Sequence, residues 1–291
     1  MTGFAVQVRD LGVRYGDTQA LDGASLDLPA GAIVGLLGRN GSGKTTLLSV
    51  LAALRKPSTG SVLVDGEDPF ENERVMERVC LIRESGDVMA DEKLSDTLDL
   101  VAAARPTWDG EYAAELLDAF ELSLRKRPGT LSRGQRSAVG AVIGLASRAP
   151  LTIFDEVYLG MDAPSRYRFY DALLADYVEH PRTIILSSHL ISEVERLFEE
   201  VVVLEAGRVL LAEDADSVRA RGATVTGPKD RVAEATRDLT VIGRRDLGPT
   251  AEVTVFDALG ADERARLDAA GLDIGPVGLQ DLFVHLTGGK S

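Results

Sequence analysis

The sequence predicts an α/β fold: a mixed sheet with flanking helices, joined by an antiparallel β-subdomain and a helical subdomain, and followed by a small C-terminal α+β appendage. Three observations predict it. Continuous apolar runs at residues 32–37, 151–154 and 183–186 suit strands buried on both faces. Between the first two runs lies a long stretch with apolar residues at helical intervals. Segments near the N-terminus alternate apolar and polar residues, as half-buried antiparallel strands do.

Taken in order, residues 4–8 and 25–28 alternate, and residues 61–64 end in the turn pair Asp65-Gly66, which makes these three the β-subdomain. The apolar run at 32–37 leads through a glycine-rich loop into a helical segment at 45–54. From 94 to 149 the spacing is helical, with Leu94, Leu98 and Val101 and then Leu116, Leu117 and Phe120, interrupted near Arg105-Pro106. A helical subdomain at about residues 85–149 follows, inserted between two strands of the core. After residues 201–204, Ala206-Gly207 turns the chain into 209–212. Beyond Asp214 the sequence is richer in Gly, Pro and polar residues, so the main domain is placed at 1–213 and an accessory domain at 214–291.

Composition narrows the function. A chain of 291 residues with 45% hydrophobic content buries a full-sized core without staples. Cys80 is the single cysteine and the first ten residues show no cationic region followed by an apolar run, so a reducing, cytoplasmic location is expected. The longest run of small and apolar residues, 137–146, is well short of the roughly 18 that a membrane-spanning helix needs. A formal net charge of −14 argues against binding to phosphate backbones, and no nucleic-acid partner is expected. The basic cluster Arg125-Lys126-Arg127 reads as a solvated helix end.

The strongest chemical signal is Gly38-Arg39-Asn40-Gly41-Ser42-Gly43-Lys44-Thr45, which matches the phosphate-binding loop G-x-x-x-x-G-K-[ST]. Glycines let backbone N–H groups turn inward around phosphates, the following helix offers its positive end, Lys44 reaches the outer phosphates, and Thr45 can ligate Mg²⁺. Thr46 continues the same surface. The loop lies between a strand and a helix, as the motif requires, so ATP and Mg²⁺ are the expected ligands. Further on, the apolar strand 151–154 ends in Asp155-Glu156. A carboxylate at a strand's C-terminal end lies where ligands sit in open α/β sheets, so Asp155 can hold the metal shell and Glu156 can polarise a water. Alone, such a pair is commonplace on a solvated strand end; after a phosphate loop it reads as catalytic.

Leu131-Ser132-Arg133-Gly134-Gln135 stands directly before a helical segment at 136–147. A serine and a glycine at a helix start make a second anion-binding surface, although the same residues could be a simple N-cap. With the two motifs around it, the sequence resembles the ABC ATPases over roughly residues 4–213, and the expected architecture is the P-loop ABC ATPase core. The resemblance implies further roles. Tyr15 would stack on adenine, Asp162 in Leu159-Gly160-Met161-Asp162 would signal across a dimer, and His189 after a strand would contact the γ-phosphate. Asp162 is also a natural N-cap ahead of Pro164.

The resemblance also implies partners. In the family the signature of one subunit covers the ATP on the loop of another, so Ser132, Arg133, Gly134 and Gln135 would face the partner's nucleotide. A homodimer, or a heterodimer with a related chain, is expected. So is a membrane-spanning subunit on a separate chain, which would hold this one on the inner face of the cell membrane and be driven by ATP hydrolysis. Export is the expected direction, because residues 279–287 look like the tail of bacterial exporter subunits. A soluble ABC machine acting on DNA or ribosomes is the alternative; it would ordinarily show heptad arms, two fused modules or basic surface. Three residues depart from the family pattern: Val157 for a proline, Arg133 for a glycine and Glu84 for a glutamine. Glu84 is either metal-directed or turned away toward the partner, because a carboxylate only accepts hydrogen bonds and adds repulsion beside a triphosphate.

Overall fold

The computed structural model describes residues 3–84, 88 and 91–288. It comprises two compact units: Met1–His189 with Leu197–Ala212, and Leu190–Arg196 with Glu213–Ser291. In chain order the first contains β1 (Val6–Tyr15), β2 (Thr18–Leu28), β3 (Ile33–Gly38), α1 (Lys44–Leu51), β4 (Thr59–Val64), α2 (Glu73–Met76) and β5 (Val79–Arg83). It continues through α3 (Leu94–Ala104), α4 (Gly110–Ala119), α5 (Arg133–Ser147), β6 (Leu151–Asp155), α6 (Ala163–Glu179), β7 (Thr183–Ser188), β8 (Glu200–Glu205) and β9 (Arg208–Asp214).

Two sheets share this unit. A three-stranded antiparallel sheet has the order β2-β1-β4, and a six-stranded sheet the order β5-β6-β7-β3-β8-β9. The pairs β5–β6, β6–β7, β7–β3 and β3–β8 are parallel, and every residue of β3, β6 and β7 is buried, which is why their sequences are mostly apolar. Leu47, Leu48, Val50 and Leu51 of α1 join the β-subdomain and β6 in one core cluster. The parallel register aligns the strand ends: Leu37 lies beside Ser188, Gly38 beside Leu204, and Asp155 beside both Arg83 and Ser187. Everything expected at a strand's C-terminal end therefore arrives at one edge of the sheet.

The expected helical insert contains α3, α4 and α5, with residues 85–87, 89 and 90 lying outside the described residues. Helix α3 stops at Ala104 because Arg105, preceding Pro106, is forced into an extended conformation. Asp109 caps α4 by accepting from the Tyr112 N–H at 2.8 Å. In the first unit the strand that sequence patterning misses is β5, a five-residue edge strand that ends in Arg83.

The second unit contains α7 (Ile191–Val194), α8 (Ala215–Arg221), β10 (Gly222–Pro228), α9 (Lys229–Ala235), β11 (Val241–Leu247), β12 (Thr250–Phe256), α10 (Ala261–Ala269), β13 (Asp273–Pro276) and α11 (Leu279–Gly288). Its sheet is antiparallel in the order β11-β12-β10-β13, and Val225, Val232, Val253, Val255 and Leu267 fill its own core. The α+β character expected of the C-terminal segment is thus a regular βαββαβ sheet. Leu190–Arg196 joins this unit although it is distant in sequence. The Glu195 carboxylate accepts the Leu279 N–H at 2.7 Å, the Glu195 carbonyl accepts from Arg219, and the Gln280 side chain accepts the Ser192 N–H at 3.1 Å. Among the described residues no helix is long and apolar enough to cross a membrane.

Candidate nucleotide site

Residues 38–45 form a tight loop because two glycines take left-handed conformations, Gly41 at φ 80° and Gly43 at φ 107°. Gly38 is required for a different reason: a Cβ there would stand 2.3 Å from Ser42 Oγ and 2.6 Å from the Leu204 carbonyl. Lys44 is buried and its ammonium donates to the carbonyls of Gly38 at 2.7 Å and Arg39 at 3.3 Å, so the loop closes over its own lysine. No side chain caps α1, which leaves the backbone donors of its first turn for a ligand.

Tyr15, Asn40, Gly41, Ser42, Gly43, Lys44, Thr45, Thr46, Glu84, Glu156 and His189 line one cleft of about 500 Å³. The Tyr15 ring borders this cleft and carries the Arg55 guanidinium over it, 4.2 Å from its centroid. Asp155 is buried beneath, at the end of β6. Three oxygens around these strand ends, Ser42 Oγ, Asp155 Oδ1 and Ser187 Oγ, are buried without a hydrogen-bond partner. Buried polar atoms are rarely left in that condition, and oxygen donors beside an uncapped helix start are the chemistry that a magnesium nucleotide takes. The residues therefore fit ATP with Mg²⁺.

Glu156 follows Asp155 with a backbone φ of 55°, a left-handed conformation that costs a non-glycine residue about 1–3 kcal/mol and concentrates at functional sites. Its Oε1 lies 3.7 Å from Lys44 Nζ and its Oε2 lies 2.8 Å from His189 Nδ1. Tyr158, which sequence reasoning misses, donates its hydroxyl to the same Oε2. Burial, followed by the hydrogen bond and charge of Glu156, pushes the Tyr158 hydroxyl well above the ordinary tyrosine range, so it stays a neutral donor.

The signature residues do not themselves line the cleft, although Arg133 touches Glu84, which does. Ser132 and Gln135 form a reciprocal capping box at the start of α5: Ser132 Oγ accepts the Gln135 N–H at 3.1 Å and Gln135 Oε1 accepts the Ser132 N–H at 3.2 Å. Gly134 is held against the turn at Val157–Gly160, where an added Cβ would meet the Gly160 carbonyl at 2.6 Å. Arg133 forms an ion pair with Glu84, whose carbonyl accepts from Ser137 Oγ at 3.4 Å. Two of the three departures from the family pattern thus touch each other. Asp162 caps α6 by accepting the Ser165 N–H at 2.9 Å, and the hydroxyl and N–H of Ser165 hold its carboxyl below the usual range.

A phosphate loop, paired acids at a strand end and a capped signature helix on a parallel sheet define an ABC-type ATPase. The comparisons agree: the ABC transporter family matches residues 21–158. The chain is 30% identical to the daunorubicin/doxorubicin resistance ATP-binding protein DrrA of Streptomyces peucetius, covering 98% of this chain and 92% of that one. It is 32% identical to the methionine import ATP-binding protein MetN of Mesorhizobium japonicum, over 97% and 78% respectively. A solved ATP-binding subunit of an ABC transporter superposes with a TM-score of 0.67 and 27% identity, covering 74% of this chain and 91% of that one. The chain belongs to the ABC transporter family, among its ATP-binding, ATP-hydrolysing subunits.

Proposed function

We propose that this chain is the motor of an exporter: two copies, or one copy and a related chain, close around two ATP, and hydrolysis drives a membrane-spanning subunit encoded separately. The half-site geometry carries the reading. One chain holds a phosphate loop lined for ligand and, outside that lining, a signature turn whose serine and glutamine are satisfied by their own capping box. Export is favoured over import because the chain covers 92% of the drug-resistance protein and 78% of the methionine importer. Binding through a membrane subunit would place the chain on the cytoplasmic face.

In this reading Lys44 and the backbone donors of the loop hold the β- and γ-phosphates, Tyr15 offers its ring to adenine, and Thr45 and Asp155 hold Mg²⁺. When bound, the metal supplies positive charge that offsets the charge developing on the phosphate oxygens. Glu156 accepts a proton from the attacking water, and His189 helps orient the terminal phosphate. Ser132, Gly134 and Gln135 face the partner's nucleotide, and Asp162 lies at the seam. Glu84 is held by Arg133, so its carboxylate is directed to the signature turn and reports to the partner subunit. Opening after hydrolysis follows from loss of the bridging phosphate.

The test is ATP-driven accumulation of doxorubicin in inside-out vesicles containing this chain and the membrane protein encoded beside it. Accumulation that stops with Glu156→Gln supports an exporter. Efflux of preloaded compound, or ATP turnover with no movement of it, rejects export of this class of compound.

A further inference from the structure

We propose that Tyr158 is a positioning residue of the hydrolytic site, whose hydroxyl ties the carboxylate of Glu156 to the end of β7 and so holds Glu156 and His189 as one unit. The proposal rests on the reading of those two residues as the hydrolytic pair.

The geometry begins with the backbone. Because Glu156 is in the left-handed region, the chain turns sharply after β6 and enters a 3₁₀ turn at Val157–Gly160. That turn buries the Tyr158 ring, leaving it 3% exposed, with its centroid 5.9 Å from the His189 ring. A phenol has one donor and two acceptor positions. Here all three are used: the hydroxyl donates to Glu156 Oε2, and it accepts from the His189 N–H at 2.9 Å and from Ser188 Oγ at 3.2 Å. Two of those partners are the last residue of β7 and the residue after it, while the third follows β6. The hydroxyl therefore bridges two neighbouring strand ends.

The consequence for Glu156 is a fixed orientation. Oε2 is held by the Tyr158 hydroxyl and lies 2.8 Å from His189 Nδ1, which leaves Oε1 as the oxygen facing Lys44 at 3.7 Å across the cleft. A carboxylate left to rotate would spend part of its time with neither oxygen aimed at the cleft. His189 is fixed by the same hydroxyl through its backbone N–H, and its Nδ1 lies 3.2 Å from it. A hydroxyl on a short side chain at position 158 would fall short by the length of the ring, so the reach of tyrosine is what makes the bridge.

The experiment compares Tyr158→Phe, Glu156→Gln and the double variant, using steady-state hydrolysis and binding of a fluorescent ATP analogue. Phenylalanine keeps the buried ring, and matching thermal melting of the variants shows that each is folded. Tyr158→Phe is expected to lower kcat by about 10- to 100-fold, the worth of a hydrogen bond to a charged group, while KM and analogue affinity stay within about 2-fold. In the Glu156→Gln background the same substitution is expected to add no further loss, because the tyrosine acts through that carboxylate. Independent of turnover, ¹⁵N spectra of the nucleotide-free chain are expected to show a changed His189 ring signal in Tyr158→Phe. An unchanged kcat, an equal fall in analogue affinity, a multiplicative loss in the double variant or an unchanged His189 signal would each overturn the proposal. If Glu156→Gln alone hydrolyses ATP normally, the underlying reading of Glu156 fails instead.

Discussion

Residues 38–45 and 131–135 both carry glycines and both open a helix in the first unit, but the first buries a serine and a lysine where the second exposes a serine and an arginine. Ser42 and Lys44 are 5% and 6% exposed, and Ser42 Oγ has no hydrogen-bond partner. Ser132 and Arg133 are exposed, and the polar groups of the second turn are satisfied by its own capping box and by Glu84. Unsatisfied buried donors and acceptors call for a ligand inside the chain, whereas a satisfied, outward helix start offers backbone N–H groups to something brought from outside. On the function proposed above, the difference corresponds to two halves of two different sites.

Five substitutions break or sharpen that contrast. Lys44→Ala is expected to have the largest effect, raising the ATP dissociation constant by at least about 100-fold in equilibrium binding, since it removes a buried cation from the lining of the cleft. Glu156→Gln is expected to keep ATP binding and slow hydrolysis by about 10²- to 10⁴-fold, the usual worth of a positioned general base; near-normal turnover removes Glu156 from that role. In the Glu156→Gln background with ATP and Mg²⁺, sedimentation is expected to show a dimer, and Ser132→Arg is expected to return it to monomer without lowering ATP affinity. A simultaneous loss of affinity would place the signature turn in the same site as the loop.

The smallest effect is expected at the pair that joins the two regions. Glu84 and Arg133 are both partly exposed, and such pairs are worth about 0–1 kcal/mol, so Glu84→Ala is expected to change hydrolysis by the isolated chain less than about 5-fold. Stimulation by the membrane subunit is expected to fall, and Arg133→Gly to reproduce that fall. A large shift in the Mg²⁺ concentration needed by Glu84→Ala would show instead that the carboxylate serves the metal.

Much of the molecule was legible in the chain. Residues 32–37, 151–154 and 183–186 mark buried parallel strands because burial on both faces favours apolar residues without alternation, and β3, β6 and β7 occupy them. Arg105-Pro106 marks the end of α3 for a steric reason that acts within two residues. The edge strand β5 escaped because it is short and ends in an arginine.

The sequence by itself determined the motifs from which the nucleotide reading is drawn, since the loop at 38–45, the acids at the end of β6 and the signature at the start of α5 are recognised by their spacing along the chain. Tertiary structure decided which side chains meet. Tyr158 reaches Ser188 and His189 only because β6 and β7 pair in one register and Glu156 takes a left-handed backbone, neither of which a local pattern encodes. Glu84 meets Arg133, and Leu190–Arg196 joins the second unit, for the same reason: contacts between segments distant in sequence are set by packing of the whole chain, after local propensity has had its say.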